Sequence, residues 1–336
     1  MDSITALVPR DRFFDLCPAE TAEGRPRRTG VEIEFGGLTE ECAARLVADE
    51  IGGDVRAAGP HEILVEGSDW GDVEICLDTA YRDKAGNKLA DLGLELGRAV
   101  VPVEIVTPPL TVQQMPALDR LRGALRKAGA QGSREGVLLG FGLHLNPEIA
   151  AGTLEAILPV TRAYALIEDW LRKADPIDPS RRLLPFVDPY PRGFVDRLAG
   201  EAEGWSLTDF IDAYLAENPT RNRGLDMLPC LRHLDEARVT AALAASISLG
   251  SSETQVSARP TFHYRLPDCR IDEGGWRLAY EWNRWVMVER LAADSAALAA
   301  LAADWLDYRA QLTTTRADWL AHLEDRLGEL SLWEAA

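Results

Sequence analysis

Thr29-Gly30-Val31-Glu32-Ile33-Glu34-Phe35 is an apolar, β-prone run broken at alternate positions by carboxylates. Side chains of an extended chain alternate between two faces, so Glu32 and Glu34 leave one side and Val31, Ile33 and Phe35 the other. The two carboxylates then start roughly 7 Å apart and repel by about 2 kcal/mol at an effective dielectric near 20. A shared cation turns that repulsion into attraction. The plainer alternative is a solvated outer face, and one E-x-E run alone does not choose between them.

The pattern recurs. Pro102-Val103-Glu104-Ile105-Val106-Thr107-Pro108-Pro109 sets one carboxylate in a β-branched run. Gly140-Phe141-Gly142-Leu143-His144-Leu145-Asn146 puts Gly142, His144 and Asn146 on one face, and Thr261-Phe262-His263-Tyr264-Arg265-Leu266 does the same for Thr261, His263 and Arg265. A lone histidine in an apolar strand is ordinarily a satisfied core residue; four strands, each with one oily and one charged side, point to a site. Such a sheet packs helices behind and leaves a charged concave front. Carboxylates with an occasional imidazole suit Mg²⁺ or Mn²⁺. Gly140 and Gly142 leave room for a ligand or a second backbone to come close.

Around this frame the chain reads as α+β. Residues 1–28, rich in Pro and charge, read as an extended arm; strands are expected at 31–37, 62–66, 71–78, 101–107, 137–145 and 260–266. Helices are expected at 39–51, with Thr39 as cap and Gly52-Gly53 as stop, and at 113–128. A helical insertion covers about 153–247, within it 153–171, 207–216 and 235–247, with the Pro-rich 175–191 as a long ordered loop or lid. Residues 274–336 form a helical C-terminal region whose tryptophans are packing anchors. The catalytic unit is expected over 29–273.

Composition narrows the function. The 336 residues carry 36 basic and 54 acidic side chains, a net charge of −18. That acidity argues against a nucleic-acid partner, since phosphate binding needs a basic surface, but not against a metal-bound nucleotide. No run of 18 uncharged apolar residues indicates a membrane span, and the start lacks a signal pattern. The 5 cysteines are scattered and never paired as C-x-x-C, which fits free thiols in a cytoplasmic protein, with Cys42 and Cys76 as core filler. P-loop, dinucleotide and G-x-S-x-G patterns are missing; His61, His233 and His322 sit in unremarkable loop or helix contexts.

Thr29–Phe35, then Glu104-Ile-Val-Thr-Pro-Pro-Leu110, then Gly142-Leu-His144-Leu-Asn146 together resemble the putative amidoligase family, carboxylate–amine ligases sharing the glutamine synthetase catalytic fold, over roughly 28–290. The resemblance implies a curved antiparallel sheet with helices on its convex face and ATP with Mg²⁺ or Mn²⁺ on the concave one. The activity it implies is amide formation through an acyl phosphate, between small-molecule or peptide carboxylate and amine substrates. By position, Glu32, Glu34, Glu104 and His144 resemble the metal ligands. His144, Asn146, His263 and Arg265 fall at the nucleotide, with Arg265 resembling the arginine that contacts the transferred phosphoryl group. Phosphoryl transfer is catalysed by positioning and charge neutralisation, which these residue types supply.

The chain departs from the pattern in two places. His263 stands where the related strand usually carries Glu, so one metal site is altered, lost or imidazole-bound. In Arg221-Asn222-Arg223-Gly224-Leu225-Asp226, Asp226 takes the place of an expected Asn, and Arg223 reads either as a grip for substrate carboxylate or phosphate, with a catalytic role, or as a surface residue. Asp69, Asp72, Glu74 and Asp78 belong to an acidic stretch in which Glu74 and Asp78 either line the front face or mark a solvated edge. A phosphotransferase of the same architecture, as in guanidino kinases, and a non-catalytic nucleotide- or metabolite-binding relative are the alternatives.

Overall fold

The computed structural model describes residues 7–77, 101–133, 140–179, 181, 187–248, 256–311, 313, 315–330 and 332–333. The strands are β1 (Thr29–Phe35), β2 (Asp54–Gly59), β3 (Glu62–Ser68), β4 (Gly71–Leu77), β5 (Val103–Val106) and β6 (Leu143–Pro147). They make one open antiparallel sheet in the order β2-β3-β4-β5-β1-β6. The helices are α1 (Glu40–Ile51), α2 (Met115–Ala128), α3 (Leu154–Ala174), α4 (Arg192–Gly200), α5 (Leu207–Glu217), α6 (Leu228–Leu234), α7 (Glu236–Ser248), α8 (Leu278–Ala293), α9 (Ser295–Ala310) and α10 (Arg316–Glu329). The mixed helix-and-sheet class expected from the sequence is therefore observed.

Alternation decides which face the core takes. Val31, Ile33, Ile63, Val65, Val73, Ile75, Ile105, Leu143 and Leu145 are all buried on one side of the sheet. Helix α1 lies against β2, β3 and β4, and α2 packs beside it. Thr39 caps α1 by accepting from the Cys42 amide, and Gly52 ends it at φ +73°. Helix α8 closes the rest, where Trp285 meets the rings of Phe262 and Tyr264, and it lies alongside α3. Trp170, Trp282, Trp285 and Trp319 are among the largest fully buried side chains, so these tryptophans are packing anchors.

Three expectations need correction. The hairpin strand β2 was not foreseen, because Asp54–Gly59 is exposed along nearly its whole length and shows no apolar alternation. The strand expected at 260–266 is not regular. Instead, isolated bridges join Glu148 to Thr261, Leu145 to Tyr264 and Gly142 to Asp268, since Pro260 and Pro267 cannot donate to a ladder. This segment still lies beside β6, and Leu225 bridges Tyr264 on its far side. Cys76 is half-buried rather than core filler, with its thiol 3.8 Å from Glu104 Oε2 on the charged face, and Cys42 is half-buried too.

Over residues 7–28 the N-terminal arm is irregular but docked. Asn283 on α8 donates to the carbonyls of Pro9 and Arg12, Trp282 donates to Phe14, and Arg27 forms a buried two-pronged pair with Glu289. Asp78, residues 137–139 and part of the Pro-rich segment lie outside the described residues. Among the described residues no helix is long and apolar enough to cross a membrane.

Candidate active site

Register places the polar residues together. Glu34 is paired with Glu104 across β1 and β5, Glu32 with His144 across β1 and β6, and Cys76 with Glu104 across β4 and β5. All of these leave the sheet on the face opposite the core. Asn146 follows His144 on that face, and the bridge of Leu145 to Tyr264 brings His263 and Arg265 in beside them. Glu74, on an interior strand, is on this front face, whereas Asp72 accepts the Gly67 amide in the β3–β4 turn.

His144 is the hub. Its Nδ1 is 2.7 Å from Glu32 Oε2, while its Nε2 is 3.6 Å from Glu34 Oε1. Asn146 donates to the other oxygen of Glu32 at 2.7 Å. Glu34 accepts the Gly142 amide at 2.7 Å. Gly142 has no side chain for a close-packing reason: a Cβ there would lie 2.8 Å from His144 Nε2 and 3.0 Å from an Arg181 nitrogen. The room foreseen at Gly142 is taken by these two side chains.

Two triads emerge, Glu34–Glu104–His144 and Glu32–His144–His263, each with donor atoms within 4.8 Å of one another. Carboxylate oxygens with imidazole nitrogens are the donor chemistry of a divalent cation. His263 adds a second reason. Its Nδ1 lies 3.2 Å from Asp226 Oδ2 and 3.0 Å from an Arg221 nitrogen, but its buried Nε2 has no hydrogen-bond partner among the described residues. The residues therefore fit a bound cation.

Arginines complete the surroundings. Arg265 donates to the Arg221 carbonyl, and its buried Nε has no partner among the described residues. Arg181 pairs with Asp268 at 2.7 Å in the interior and donates to the carbonyls of Arg265, Leu266 and Pro267, fixing the backbone after Arg265. Arg221 also donates to Asp226 at 3.0 Å. Glu32, Glu104, Asn146 and His263 open into a cleft of about 840 Å³, a size that suits a small ligand, with Arg25, Arg28, Arg221 and Arg259 also lining it. In a chain of net charge −18, that lining gathers cations locally.

Burial and neighbours set the charges. Burial works against ionisation of Glu32, but the bond from His144, the neighbouring imidazoles and Asn146 outweigh it and hold the carboxyl well below its usual range. Burial also opposes Asp226, yet His263 and Arg221 bring it down to about 2. Burial lowers His263 to about 4 in spite of Asp226, so its imidazole is neutral near pH 7. Arg265 is lowered by burial and by Arg221 beside it.

The structure thus gathers Glu32, Glu34, Glu104, His144, Asn146, His263 and Arg265 in one region. It does not bring Arg223 there: that guanidinium donates to the Pro189 and Glu217 carbonyls and ties the loop before α4 to the end of α5. Arg221 holds the place at the cleft instead. The sequence does not single out Arg181; Arg221 and Asp226 stand out in it as part of the Arg221–Asp226 run, but not as partners, although their i, i+5 spacing in a glycine-containing turn is a usable signal. Of the remaining histidines, His322 pairs with Asp304 and His61 lies 3.6 Å from Glu40, both away from this region.

A family model described as "Putative amidoligase enzyme" matches residues 25–287, which include every residue of both triads and the cleft arginines. No curated protein and no solved structure matches the chain.

Proposed function

We propose that this chain, which belongs to the putative amidoligase enzyme family over residues 25–287, is a ligase that joins a carboxylate to an amine at the cost of ATP. The observation that carries this reading is the pair of triads sharing His144 at the wall of an arginine-lined cleft. The frame for it is a glutamine synthetase-type sheet, with the charged face of β1, β5 and β6 as its concave side. In this reading a carboxylate oxygen of the substrate attacks the γ-phosphorus of ATP. The bond from that phosphorus to the β-phosphate oxygen breaks, and ADP leaves. The amine nitrogen then attacks the acyl carbon, inorganic phosphate departs, and the nitrogen loses a proton to form the amide.

Glu34, Glu104 and His144 would hold one divalent cation, Mg²⁺ or Mn²⁺, and Glu32 stands at the second triad. Bound cations neutralise charge on the phosphate oxygens. The chain's own residues do the rest. Arg265, held by the Arg221 carbonyl and by the clamp that Arg181 places on its backbone, sits within electrostatic reach of Glu34 and would face the transferring group. Asn146 and His144 keep Glu32 in one orientation. Arg25, Arg28 and Arg259 attract anionic groups to the cleft. Arg221, at the cleft wall, belongs to the acceptor side.

The test is to incubate the full chain with ATP, Mg²⁺ and pools of amino acids, peptides and polyamines, following phosphate release and analysing products by mass spectrometry. An amide product with ADP and phosphate is expected, and Glu34→Gln abolishes it. A stable phosphorylated acceptor without amide would make the chain a phosphotransferase. Binding of nucleotide with no turnover for any acid and amine would make it a binding protein.

A further inference from the structure

We propose that Glu32, His144 and His263 form a nitrogen-rich seat that takes a first-row transition dication in preference to Mg²⁺, with Asp226 as the residue that aims His263 into it. The inference rests on the reading of this cleft as a cation site and gives one of its two seats a distinct chemistry. The starting point is an asymmetry between the two triads. Glu34–Glu104–His144 offers two carboxylates and one imidazole, whereas Glu32–His144–His263 offers one carboxylate and two. Mg²⁺ gives up water reluctantly and favours oxygen, while imidazole nitrogen favours iron, cobalt, nickel or zinc.

His144 cannot serve both triads through one nitrogen. Its Nδ1 is at Glu32 and its Nε2 at Glu34, and a neutral imidazole has one lone pair, so when Nδ1 ligates in the nitrogen-rich seat Nε2 carries the proton toward Glu34 and the other seat rests on Glu34 and Glu104. His263 has no such division. Asp226 Oδ2 and Arg221 both address its Nδ1, and Nε2, on a residue only 7% exposed, has no partner among the described residues.

The hydrogen-bond geometry permits two tautomers. With the proton on Nδ1, that nitrogen donates to Asp226 and Nε2 presents a lone pair to the seat. With the proton on Nε2, Arg221 donates into Nδ1 and a proton faces Glu32 instead. A cation at Nε2 selects the first tautomer, because only a lone pair can ligate. Asp226 is suited to fix it: it is fully buried, and its other oxygen is tied to the Leu228 amide at 3.0 Å. A carboxylate behind an imidazole ligand is a recurring support for metal sites, and its removal typically costs about 10- to 100-fold in affinity. Asp226 is therefore a positioning residue.

The experiment uses the full chain and Co²⁺ alone, whose visible absorption reports nitrogen ligation, with Mg²⁺ as competitor and no nucleotide. The native chain is expected to hold its cobalt band in about 100-fold excess Mg²⁺. His263→Glu is expected to lose at least tenfold in Co²⁺ affinity relative to Mg²⁺ and to lose the band attributable to its imidazole. Asp226→Asn, which leaves the imidazole in place, is expected to weaken Co²⁺ by about 10- to 100-fold without altering Mg²⁺ binding at the other triad. Circular dichroism and thermal unfolding establish that each variant is folded; if His263→Glu is not, Asp226→Asn and His263→Gln carry the test. Displacement of Co²⁺ by equimolar Mg²⁺ in the native chain, or an unchanged band in both His263 variants, overturns the proposal. Neither readout involves turnover, so amide formation with no cobalt preference sinks this inference alone, and a cobalt preference with no amide product sinks the ligase reading alone.

Discussion

Glu34 and Glu104 stand directly opposite each other across the β1–β5 pair, two carboxylates on the same face of the sheet. Like charges in directly opposed positions cost a sheet about 0.2–1 kcal/mol, and nothing in core packing asks for them. Removing one charge without changing its shape is therefore expected to stabilise the metal-free fold while destroying the site. Glu104→Gln is predicted to raise the thermal midpoint in EDTA slightly and to abolish the further rise that Mg²⁺ gives the native chain. Differential scanning calorimetry with and without Mg²⁺ reads both effects. A variant that keeps the full Mg²⁺ response would remove Glu104 from the cation site.

Arg265 tests the phosphoryl-transfer half of the reading. Lysine keeps its charge but lacks the planar fork that matches phosphate oxygens. Arg265→Lys is predicted to lower kcat for ATP turnover by about 10² to 10³-fold, with a much smaller change in nucleotide affinity. Stopped-flow phosphate release alongside nucleotide titration separates the two. Equal losses in both would assign Arg265 to ground-state binding only.

How much of this was readable from sequence follows from where each signal lives. The alternation in Thr29–Phe35 and Leu143–Pro147 is local, so the face carrying Glu32, Glu34, His144 and Asn146 could be read directly from the residue order. The caps of α1 were equally local. Asp54–Gly59 was missed because an exposed hairpin strand needs no apolar face. The segment 261–268 kept its side-chain phase but lost its ladder to two prolines. Arg223 and Arg221 differ by two positions in a loop, and no periodicity fixes which one faces the cleft. The partners of His263 and Arg265 come from residues 37 to 84 positions away, and only the tertiary fold could show them.

The Arg181–Asp268 pair makes a stability prediction independent of chemistry. Both side chains are 2% exposed, and Asp268 also accepts the Asp178 amide at 2.6 Å. Removing the acid leaves a buried guanidinium uncompensated, which ordinarily costs about 3–5 kcal/mol. Asp268→Ala is predicted to lower unfolding free energy by that amount in urea titration. It should also lower turnover, because Arg181 holds the backbone of Arg265. A change below about 1 kcal/mol would mean that the carbonyls of Leu266 and Pro267 suffice to hold Arg181.

The last prediction concerns pH and lies behind the sheet. Glu281 on α8 is fully buried, and burial pushes its carboxyl up to about 7 even though Arg284 sits 2.6 Å away, with Asp175 on the same guanidinium opposing a second negative charge. The folded state then binds a proton more tightly than the unfolded one, whose carboxyl titrates near 4.5. Between those values the folded chain carries more protons, so this group's contribution is fully present below about pH 4.5 and is lost as pH rises through 7. Glutamine cannot ionise and still accepts from Trp276, which donates to Glu281 at 3.0 Å. Relative to the native chain, Glu281→Gln is predicted to gain a few kcal/mol of stability between pH 5 and pH 7.5, read from urea midpoints across that range. If the difference between the two chains instead stays flat across that range, the Arg284 pair outweighs burial, and Glu281 is ionised in the folded state throughout.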